Sequence, residues 1–519
     1  MEGSADPTSR IVWSIGLKEV AILTLGIDVG TGGTRALVLD EQGRVVGSAT
    51  EEHAPFASPQ IGWAEQQPED WWRACCVAVP KALERARVQP EDIAGVGFSG
   101  QMHGAVMLDE QGKVVRPALI WCDVRTNPQC QELTEKIGAA QLIQATCNPA
   151  LANFTLTKLM WVREHEPENW KRVRWIMLPK DYVRWRMTGE RAIDMADASG
   201  TLLLDVARRR WSRFMLDAAA IDERSLPALF ESPDVCGKIN ADGARALGLR
   251  PGTPVVAGAG DQAAGAVGMG IVAPGTVSAT IGTSGVVFAA TDRPALEPGG
   301  RLHTFCHAIP GRWHVMGVTQ AAGLSLRWFR DQFGAGRDGG RDPYERLTDE
   351  AAKVPAGCQG LLWTPYLMGE RTPHLDPSAR GALVGLTATH TRAHVIRAIL
   401  EGVAFSLRDT LTLFDEMKVA VKRIRLGGGG ARSALWRQIQ ADVYGHEVEI
   451  VAAEEGAAYG AAILAGVGAG MWKSVDEACA VVVRVAKTVE PQPDVVGIMN
   501  GNYAAYRRVY AATRSIFAS

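Results

Sequence analysis

The sequence predicts an α/β protein built from two related domains. A chain of 519 residues is too long for a single hydrophobic core, and chains of this size usually divide into several domains. An apolar strand, a glycine loop and a second strand occur at Leu23–Gly47, and the same pattern recurs in weaker form at Thr276–Thr291. Each copy is therefore expected to begin a domain of its own.

Residues 1–20 precede the first strand and have a polar opening. They lack a basic start followed by a clean apolar stretch and a small-residue cleavage site, which a signal peptide would show. We expect this segment to be a disordered N-terminal extension.

The composition is that of a globular protein and excludes several partners. Hydrophobic residues make up 47% and charged residues 22%, with a formal net charge of −2. No basic excess supports binding to nucleic acid or to an anionic membrane, and no apolar run reaches the ~20 residues that span a bilayer. The nine cysteines contain no C-x-x-C pair, which favours reduced thiols in a cytoplasmic protein over disulfides or a zinc site.

The first hairpin carries an acid just ahead of its glycines. Asp28 lies inside the apolar run "ILTLGIDV", and a loop with Gly30, Gly32 and Gly33 follows. A Rossmann or Walker A loop would open a helix, whereas this loop leads into another strand. Two interpretations remain open at this point: a plain tight turn, or a glycine turn that presents backbone N–H groups to phosphates.

The second hairpin is preceded by another acid. "PVVAGAGDQAAGAVGMG" predicts a strand over 254–257, a glycine turn and a small-residue helix from about Asp261. Asp261 fits the N-cap of that helix, and capping alone would explain it. The connector "MGIVAPG" places the domain boundary near Gly270, giving domains over 21–270 and 271–519.

A third glycine turn lies in the second half of the chain. The spacing of apolar residues predicts a long helix over 392–417. A strand then leads into four glycines ending at Gly430, and a helix is predicted to open near Ser433. Strand, glycine turn and helix N-terminus together are typical of a nucleotide site, although a simple strand turn is the alternative.

Several motifs together resemble the FGGY family of carbohydrate kinases. The segment "GALVGLTATHTRAHVIRAILE" matches the carboxy-terminal signature of that family, and "NFTLTKLMWVREH" matches the amino-terminal signature more loosely. The segments "GFSGQMHGAVMLD", "LPKDYVRWRMTGE", "HTFCHAIPGRWHVM" and "YLMGERTPH" are similar to the branch that phosphorylates D-xylulose. The resemblance implies the two-domain sugar kinase/actin/Hsp70 ATPase fold, which is ribonuclease H-like and has a cleft between its domains.

The resemblance also implies roles for the glycine turns and their neighbours. Asp261 would be the general base, and Asp28 would act on Mg²⁺ through water, because Mg²⁺ bound with phosphates keeps several waters. The phosphates of ATP would contact Thr31, Gly32, Thr34, Gly282, Thr283 and Ser284, and the adenosine would contact Gly428, Gly429, Gly430 and Arg432. Gln101, Met102, His103, Asp261 and Gln262 would bind the sugar, with neutral donors suited to an uncharged polyol.

The implied reaction is phosphorylation of D-xylulose by ATP with Mg²⁺, in a cytoplasmic enzyme whose partners are small molecules and which could form a homodimer. One departure widens the substrate range: the chain has Gln262 after Asp261, where the D-xylulose branch commonly has Asn. Kinases for glycerol, L-ribulose or a related ketose therefore stay open. A non-kinase ATPase of the same fold, such as a chaperone or a filament protein, would have no reason to carry the sugar-binding turn.

Overall fold

The computed structural model describes residues 22–334, 341–453 and 455–517. The predicted extension over residues 1–20 lies outside the described residues. In the part of the chain that the structure covers, no helix has both the length and the apolar character that a membrane span requires.

The first half of the chain is a mixed α/β unit around one large sheet. Its strands are β1 (Leu23–Val29), β2 (Gly33–Asp40), β3 (Val45–Glu52), β4 (Glu65–Gln66), β5 (Ile93–Gly100), β6 (Val106–Leu108), β7 (Ala118–Leu119), β8 (Trp175–Met177), β9 (Ala192–Asp194), β10 (Leu204–Asp205), β11 (Arg210–Trp211), β12 (Ala228–Phe230), β13 (Val235–Lys238), β14 (Pro254–Val256) and β15 (Ala259–Gly260). Its helices are α1 (Pro68–Ala86), α2 (Asn127–Ile137), α3 (Ala139–Thr146), α4 (Thr155–His165), α5 (Pro167–Arg172), α6 (Pro179–Thr188), α7 (Met195–Ser199), α8 (Arg213–Ala219), α9 (Ala241–Leu247) and α10 (Asp261–Gly268).

The large sheet of the first half has the strand order β13-β14-β5-β1-β2-β3, with β15 also paired to β5. The predicted hairpin is present, since β1 and β2 pair antiparallel from Leu23 opposite Asp40 to Val29 opposite Thr34. β5 runs parallel to β1, and β14 and β15 run parallel to β5. The carboxyl ends of β1, β5 and β15 therefore meet at one edge of the sheet, where ligands bind in open α/β sheets.

The second half repeats this plan. Its strands are β16 (Gly275–Ile281), β17 (Gly285–Thr291), β18 (His303–Cys306), β19 (Trp313–Thr319), β20 (Leu362–Thr364), β21 (Ala382–Val384), β22 (Val421–Gly428), β23 (Val448–Val451) and β24 (Val485–Val489). Its helices are α11 (Ala322–Phe333), α12 (Pro343–Ala351), α13 (Arg392–Glu416), α14 (Ala434–Tyr444), α15 (Gly456–Gly468), α16 (Val475–Val482) and α17 (Pro493–Phe517).

The second sheet has the order β18-β19-β17-β16-β22-β23-β24. Its hairpin strands β16 and β17 are antiparallel, and β22 and β23 follow in parallel beside β16. The part β19-β17-β16-β22-β23-β24 matches β3-β2-β1-β5-β14-β13 of the first sheet strand for strand. The two halves are thus the same α/β topology used twice.

Two helices join the halves. α15 from the second half packs on β1 and β5 of the first sheet and crosses α10. The crossing is close because Gly460 lies against the backbone of Ala264, where any β-carbon would collide. α10 begins at Asp261, so the helix that carries the predicted base stands where the two halves meet.

One detail of the sequence prediction is wrong. Asp261 was expected at the N-cap of α10, but Gly260 occupies that position and Asp261 is the first helical residue. Its carboxylate makes no capping hydrogen bond and accepts one from the Gln262 side-chain amide instead. Capping therefore does not account for this acid.

Candidate functional site

Two carboxylates stand at the carboxyl edge of the first sheet. Asp28 is the penultimate residue of β1 and lies opposite Ser99 of the parallel strand β5. Asp261 follows β15, which pairs with the same end of β5 through Gly260 opposite Gly100. Parallel pairing on both sides of one strand end thus brings together two acids more than 200 residues apart in sequence.

Each of the two acids is harder to ionise than a free carboxyl group. Burial raises the pKa of Asp261 from 3.8 to about 7, and the negative charge of Asp28 adds to the rise. The Gln262 amide opposes it by donating to Oδ1 of Asp261 over 3.3 Å. Burial also raises the pKa of Asp28, against the effects of Ser99 and of the Arg35 guanidinium. A carboxylate with a pKa near 7 is suited to accept a proton at neutral pH.

The environment of Asp28 fits a magnesium ion held mainly through water. Its Oδ1 is buried and makes no hydrogen bond to any described residue. Carboxylate oxygen is the ligand type that Mg²⁺ prefers, and Mg²⁺ bound with phosphates takes only one or two protein carboxylates. The described residues contain no group of three or more His, Cys, Asp or Glu side chains arranged for a metal.

The first glycine loop connects β1 and β2 at the mouth of the site. Its fold is closed by a hydrogen bond from the Gly30 amide to the Gly33 carbonyl over 3.0 Å. Thr31 and Gly32 lie at the open side of the loop. Thr34 is fully buried, and its hydroxyl pairs with the His53 ring at 2.8 Å. The Thr34 side chain therefore points into the protein, where its hydroxyl is hydrogen-bonded to His53.

The second glycine loop connects β16 and β17 in the same way. The Gly282 amide donates to the Ser284 carbonyl over 2.9 Å, and the amide of Gly323 in α11 donates to the Gly282 carbonyl, also over 2.9 Å. Leu324 adds a hydrogen bond to the Thr283 carbonyl over 3.1 Å. The start of α11 thus holds the backbone of this loop, while Gly282 and Thr283 stay exposed.

A cavity of about 370 Å³ adjoins the second loop. Its walls come from both glycine turns of the second half and from α11, α12 and α14: Gly282, Thr283, Leu326, Tyr344, Gly429, Gly430, Arg432, Ser433 and Trp436. Gly428 leads into this turn with φ +71°, a left-handed conformation in which a β-carbon would strike the Ile281 carbonyl. Ser433 caps α14, as the sequence predicts.

The predicted sugar-binding turn follows β5. Met102 and His103 are almost fully buried. His103 has φ +67°, and its Nδ1 lies 2.8 Å from the Gly200 carbonyl. Since a carbonyl can only accept, Nδ1 carries the proton and Nε2 is an acceptor. Burial lowers the pKa of His103 to about 3, so the ring stays neutral. The sequence interpretation made His103 a donor; its N–H is used on Gly200 instead.

Two cations surround this turn. Lys158 of α4 is fully buried, and its Nζ donates to the carbonyl of His103 over 3.2 Å. Burial lowers the pKa of Lys158 to about 7. The charge of Arg371 acts on His103 and on His303 and lowers the pKa of both rings. Burial lowers the pKa of the Arg371 guanidinium, and the negative charge of Glu370 opposes that shift.

Sequence reasoning missed several residues of the site. Lys158 and Arg371 occur in motifs used for recognition, but neither was assigned a role. Gln66 and Trp121 were not identified at all, although both hydrogen-bond to Thr31 in the first loop. Single amides and indoles have no spacing signature, so only the fold reveals them. Gln101, which was assigned to the sugar, places its amide on the first loop instead.

Comparison with known proteins yields consistent matches. Residues 23–268 match the model of the FGGY family of carbohydrate kinases, N-terminal domain, and residues 277–469 match its C-terminal domain. The chain is 39% identical to a xylulose kinase of Bacillus subtilis (strain 168) over 492 residues, covering 95% of this chain and 97% of that relative. It is 43% identical to a xylulose kinase of Klebsiella pneumoniae, covering 85% and 89%. The crystal structure of a "xyloylose kinase" from Brucella ovis superposes with a TM-score of 0.88 at 36% identity, covering 95% of this chain and all of that one.

Proposed function

The chain belongs to the FGGY family of carbohydrate kinases, and from that membership we propose that it transfers the γ-phosphoryl group of ATP to O5 of D-xylulose. The observation that carries the chemical step is the Asp261 carboxylate, whose pKa of about 7 is raised by burial and by Asp28. The resemblance to several xylulose kinases over most of the chain supports the substrate. The predicted family and fold class are confirmed.

In the proposed reaction, the sugar binds at the turn that carries Met102 and His103. The neutral His103 ring accepts a hydrogen bond from a sugar hydroxyl at Nε2 and carries no charge at neutral pH. Lys158 fixes the carbonyl of that turn from behind. These contacts orient the 5-hydroxyl toward Asp261, which removes its proton as the new O–P bond forms.

The proposed nucleotide site runs along both glycine loops. The backbone N–H groups at Thr31, Gly32 and Thr283 would hold the terminal phosphates, and the cavity beside Gly430 and Arg432 would hold the adenosine. The Gly282 amide already donates to the Ser284 carbonyl, so Gly282 would border the phosphates without donating to them. Mg²⁺, when bound, neutralises phosphate charge, and Asp28 is the residue that would hold it through water. Thr34 is not a direct phosphate ligand in this arrangement, because its hydroxyl pairs with His53.

Four finer assignments complete the proposal. The boundary between the domains lies near Gly270, just before β16 begins at Gly275. Gln262 takes the place of an Asn in the sugar site, so glycerol or another ketose is the second candidate substrate. The free cysteines at all nine positions support the proposed cytoplasmic location. A homodimer is the remaining proposal, for which only the family supplies a reason.

Coupled ADP release tests the proposal directly. Wild type and Asp261→Ala would be assayed with MgATP and D-xylulose, D-ribulose, L-ribulose, glycerol or no sugar. The proposal predicts that D-xylulose gives the highest kcat/KM and that the substitution lowers it by at least ~10³-fold, as loss of an acid-base group does. A higher kcat/KM for glycerol would assign the second candidate. Equal ADP release without sugar would refute kinase activity.

A further inference from the structure

The backbone of the first glycine loop is held from one side by three amide donors, beside the His53 ring, whose Nδ1 lies 3.4 Å from the Thr31 carbonyl. The Gln101 side-chain Nε2 donates to the Gly30 carbonyl over 3.4 Å. The Gln66 side-chain Nε2 donates to the Thr31 carbonyl over 2.7 Å. The backbone amide of His53 donates to the Gly32 carbonyl over 2.9 Å. Three successive carbonyls of the loop therefore face the interior of the first domain.

This arrangement fixes where the loop amides point. In a planar trans peptide, the C=O of one residue and the N–H of the next point in opposite directions. With the Gly30 and Thr31 carbonyls turned inward, the N–H groups of Thr31 and Gly32 are turned outward, toward the open side. Within the described residues, neither amide donates a hydrogen bond. Adjacent outward N–H groups form a concave site for an anionic oxygen.

Gln66 is built into the core of this arrangement. It is 6% exposed, and its amide makes three hydrogen bonds. Its Oε1 accepts from the Trp71 indole over 3.2 Å and from Nε2 of Gln101 over 2.9 Å, while its own Nε2 is used on Thr31. Trp71 is fully buried in α1. The orientation of the Gln66 amide is thereby fixed, and with it the peptide that follows Thr31.

Gln101 extends the same network to the sugar-binding turn. Its backbone amide donates to the Val29 carbonyl over 2.9 Å at the end of β1. Its Oε1 accepts from the Thr31 hydroxyl over 3.4 Å, and that hydroxyl also accepts from the Trp121 indole over 2.8 Å. Met102 and His103 are the next residues along the chain. A sugar that orders this turn would therefore also order Gln101 and the loop that it holds.

We propose that Gln66 is a positioning residue that turns the Thr31 and Gly32 amides toward the terminal phosphates of ATP, and that Gln101 couples this loop to sugar binding. The proposal rests on the proposed kinase function, because it assumes that the loop holds phosphate. Coupling between two sites is reciprocal. D-xylulose should therefore increase the affinity for nucleotide, and nucleotide should increase the affinity for D-xylulose by the same factor.

The test is nucleotide binding by calorimetry, which requires no turnover. The probe is the magnesium complex of β,γ-imido ATP, titrated with and without D-xylulose. Gln66→Met removes the amide at similar volume, and Gln66→Glu keeps the two acceptor contacts while losing the donor to Thr31. The matched control is Gln129→Met, since Gln129 is an equally buried amide that donates to Glu164 over 2.7 Å in α4.

We expect both Gln66 variants to bind the probe about tenfold more weakly, the size of one lost hydrogen bond to a charged group. The affinity for D-xylulose alone should stay within about twofold of wild type, a difference of under ~0.5 kcal/mol. In Gln101→Met, D-xylulose should no longer increase the affinity for the probe. If Gln66 had a purely structural role, its replacement would instead weaken the binding of sugar and of nucleotide by the same factor.

Three results would overturn the proposal. The first is an unchanged affinity for the probe in both Gln66 variants, and the second is an equal loss of affinity for sugar and for probe in these variants. The third is a loss of probe affinity of the same size in Gln129→Met. Failure of the proposed function has a different signature, which is the absence of sugar-dependent ADP release in wild type. In that case the binding data still decide whether Gln66 positions an anion site, because the probe reports phosphate affinity without catalysis.

Discussion

Replacing Asp261 by Asn should abolish activity and at the same time stabilise the protein. The amide has nearly the shape of the carboxyl group but cannot ionise, so it cannot act as a base and carries no charge into the cleft. Burial and the charge of Asp28 together raise the pKa of Asp261 from 3.8 to about 7. A raised carboxyl pKa means that the fold disfavours the charged form, which is the form that catalysis needs.

The pKa of Asp261 differs between the folded and unfolded chain, and this difference sets the sign and size of the change in folding stability with pH. In the unfolded chain the carboxyl ionises near pH 3.8, whereas in the fold it stays protonated until about pH 7. Wild type therefore loses stability as the pH rises through this window and reaches a constant penalty above it. At ~1.36 kcal/mol per pH unit the full penalty would be ~4 kcal/mol. Asp261 is partly exposed to the cleft, so we take about half of this, ~2 kcal/mol.

Scanning calorimetry from pH 4 to 9 measures the effect. For domains of this size ~1 kcal/mol shifts the melting midpoint by ~2–4 °C, so Asp261→Asn should melt at least ~4 °C higher than wild type above pH 7 and equally at pH 4. The control is Asp242→Asn, an exposed acid that pairs with Arg245 at 3.2 Å in α9. Equal midpoints for Asp261→Asn and wild type at pH 8 would show that the fold does not disfavour this charge.

Three further predictions concern the neighbouring groups. The kcat/KM of wild type for D-xylulose should rise about tenfold per pH unit below pH 7 and level off above it, and a flat profile between pH 5 and 8 in coupled ADP release would contradict the assigned base. Gly428→Ala should raise the KM for ATP more than ~10-fold because a β-carbon there strikes the Ile281 carbonyl, whereas Gly497→Ala in α17, where a β-carbon meets nothing within 4 Å, should have little effect in the same assay. Lys158→Met should raise the KM for D-xylulose about tenfold and leave nucleotide affinity unchanged by calorimetry, since Lys158 holds the carbonyl of His103; an equal change in both would indicate general loosening of the fold.

Local patterns in the sequence predict most of the elements that form the site. The hairpin at Leu23–Gly47 is present as β1, β2 and β3, and the weaker copy is present as β16 and β17. The long helix predicted over 392–417 is Arg392–Glu416. These predictions succeed because strand alternation, helical spacing and glycine turns are properties of neighbouring residues.

Properties that depend on distant contacts could not be read from the sequence. The placement of Asp28 beside Asp261 depends on both strands flanking β5. The proton position on His103 depends on the Gly200 carbonyl, which lies 97 residues away. Gln66 has a role only because its amide meets the Thr31 carbonyl. Burial and hydrogen bonding set the chemistry of these side chains, and both arise from tertiary structure.

The repeated topology gives a reason why, in the proposed function, the first half would hold the sugar and the second half the nucleotide. In each half the first hairpin strand has a parallel neighbour, β5 or β22, whose end lies beside a glycine loop. β5 exits into the buried turn of Gln101, Met102 and His103, which suits a polyol, whereas β22 exits into glycines that line a cavity of about 370 Å³. The register also places Thr280 in the second hairpin where Asp28 stands in the first, since each lies one residue before the end of its strand. Of these two equivalent positions, the one in the first half carries the carboxylate that we propose for the metal, and the strand beyond β5 in that half leads to Asp261. The two halves share one fold but carry different side chains at equivalent positions. In the proposed function, this difference means that the phosphoryl group passes from the nucleotide in the second half to the sugar in the first.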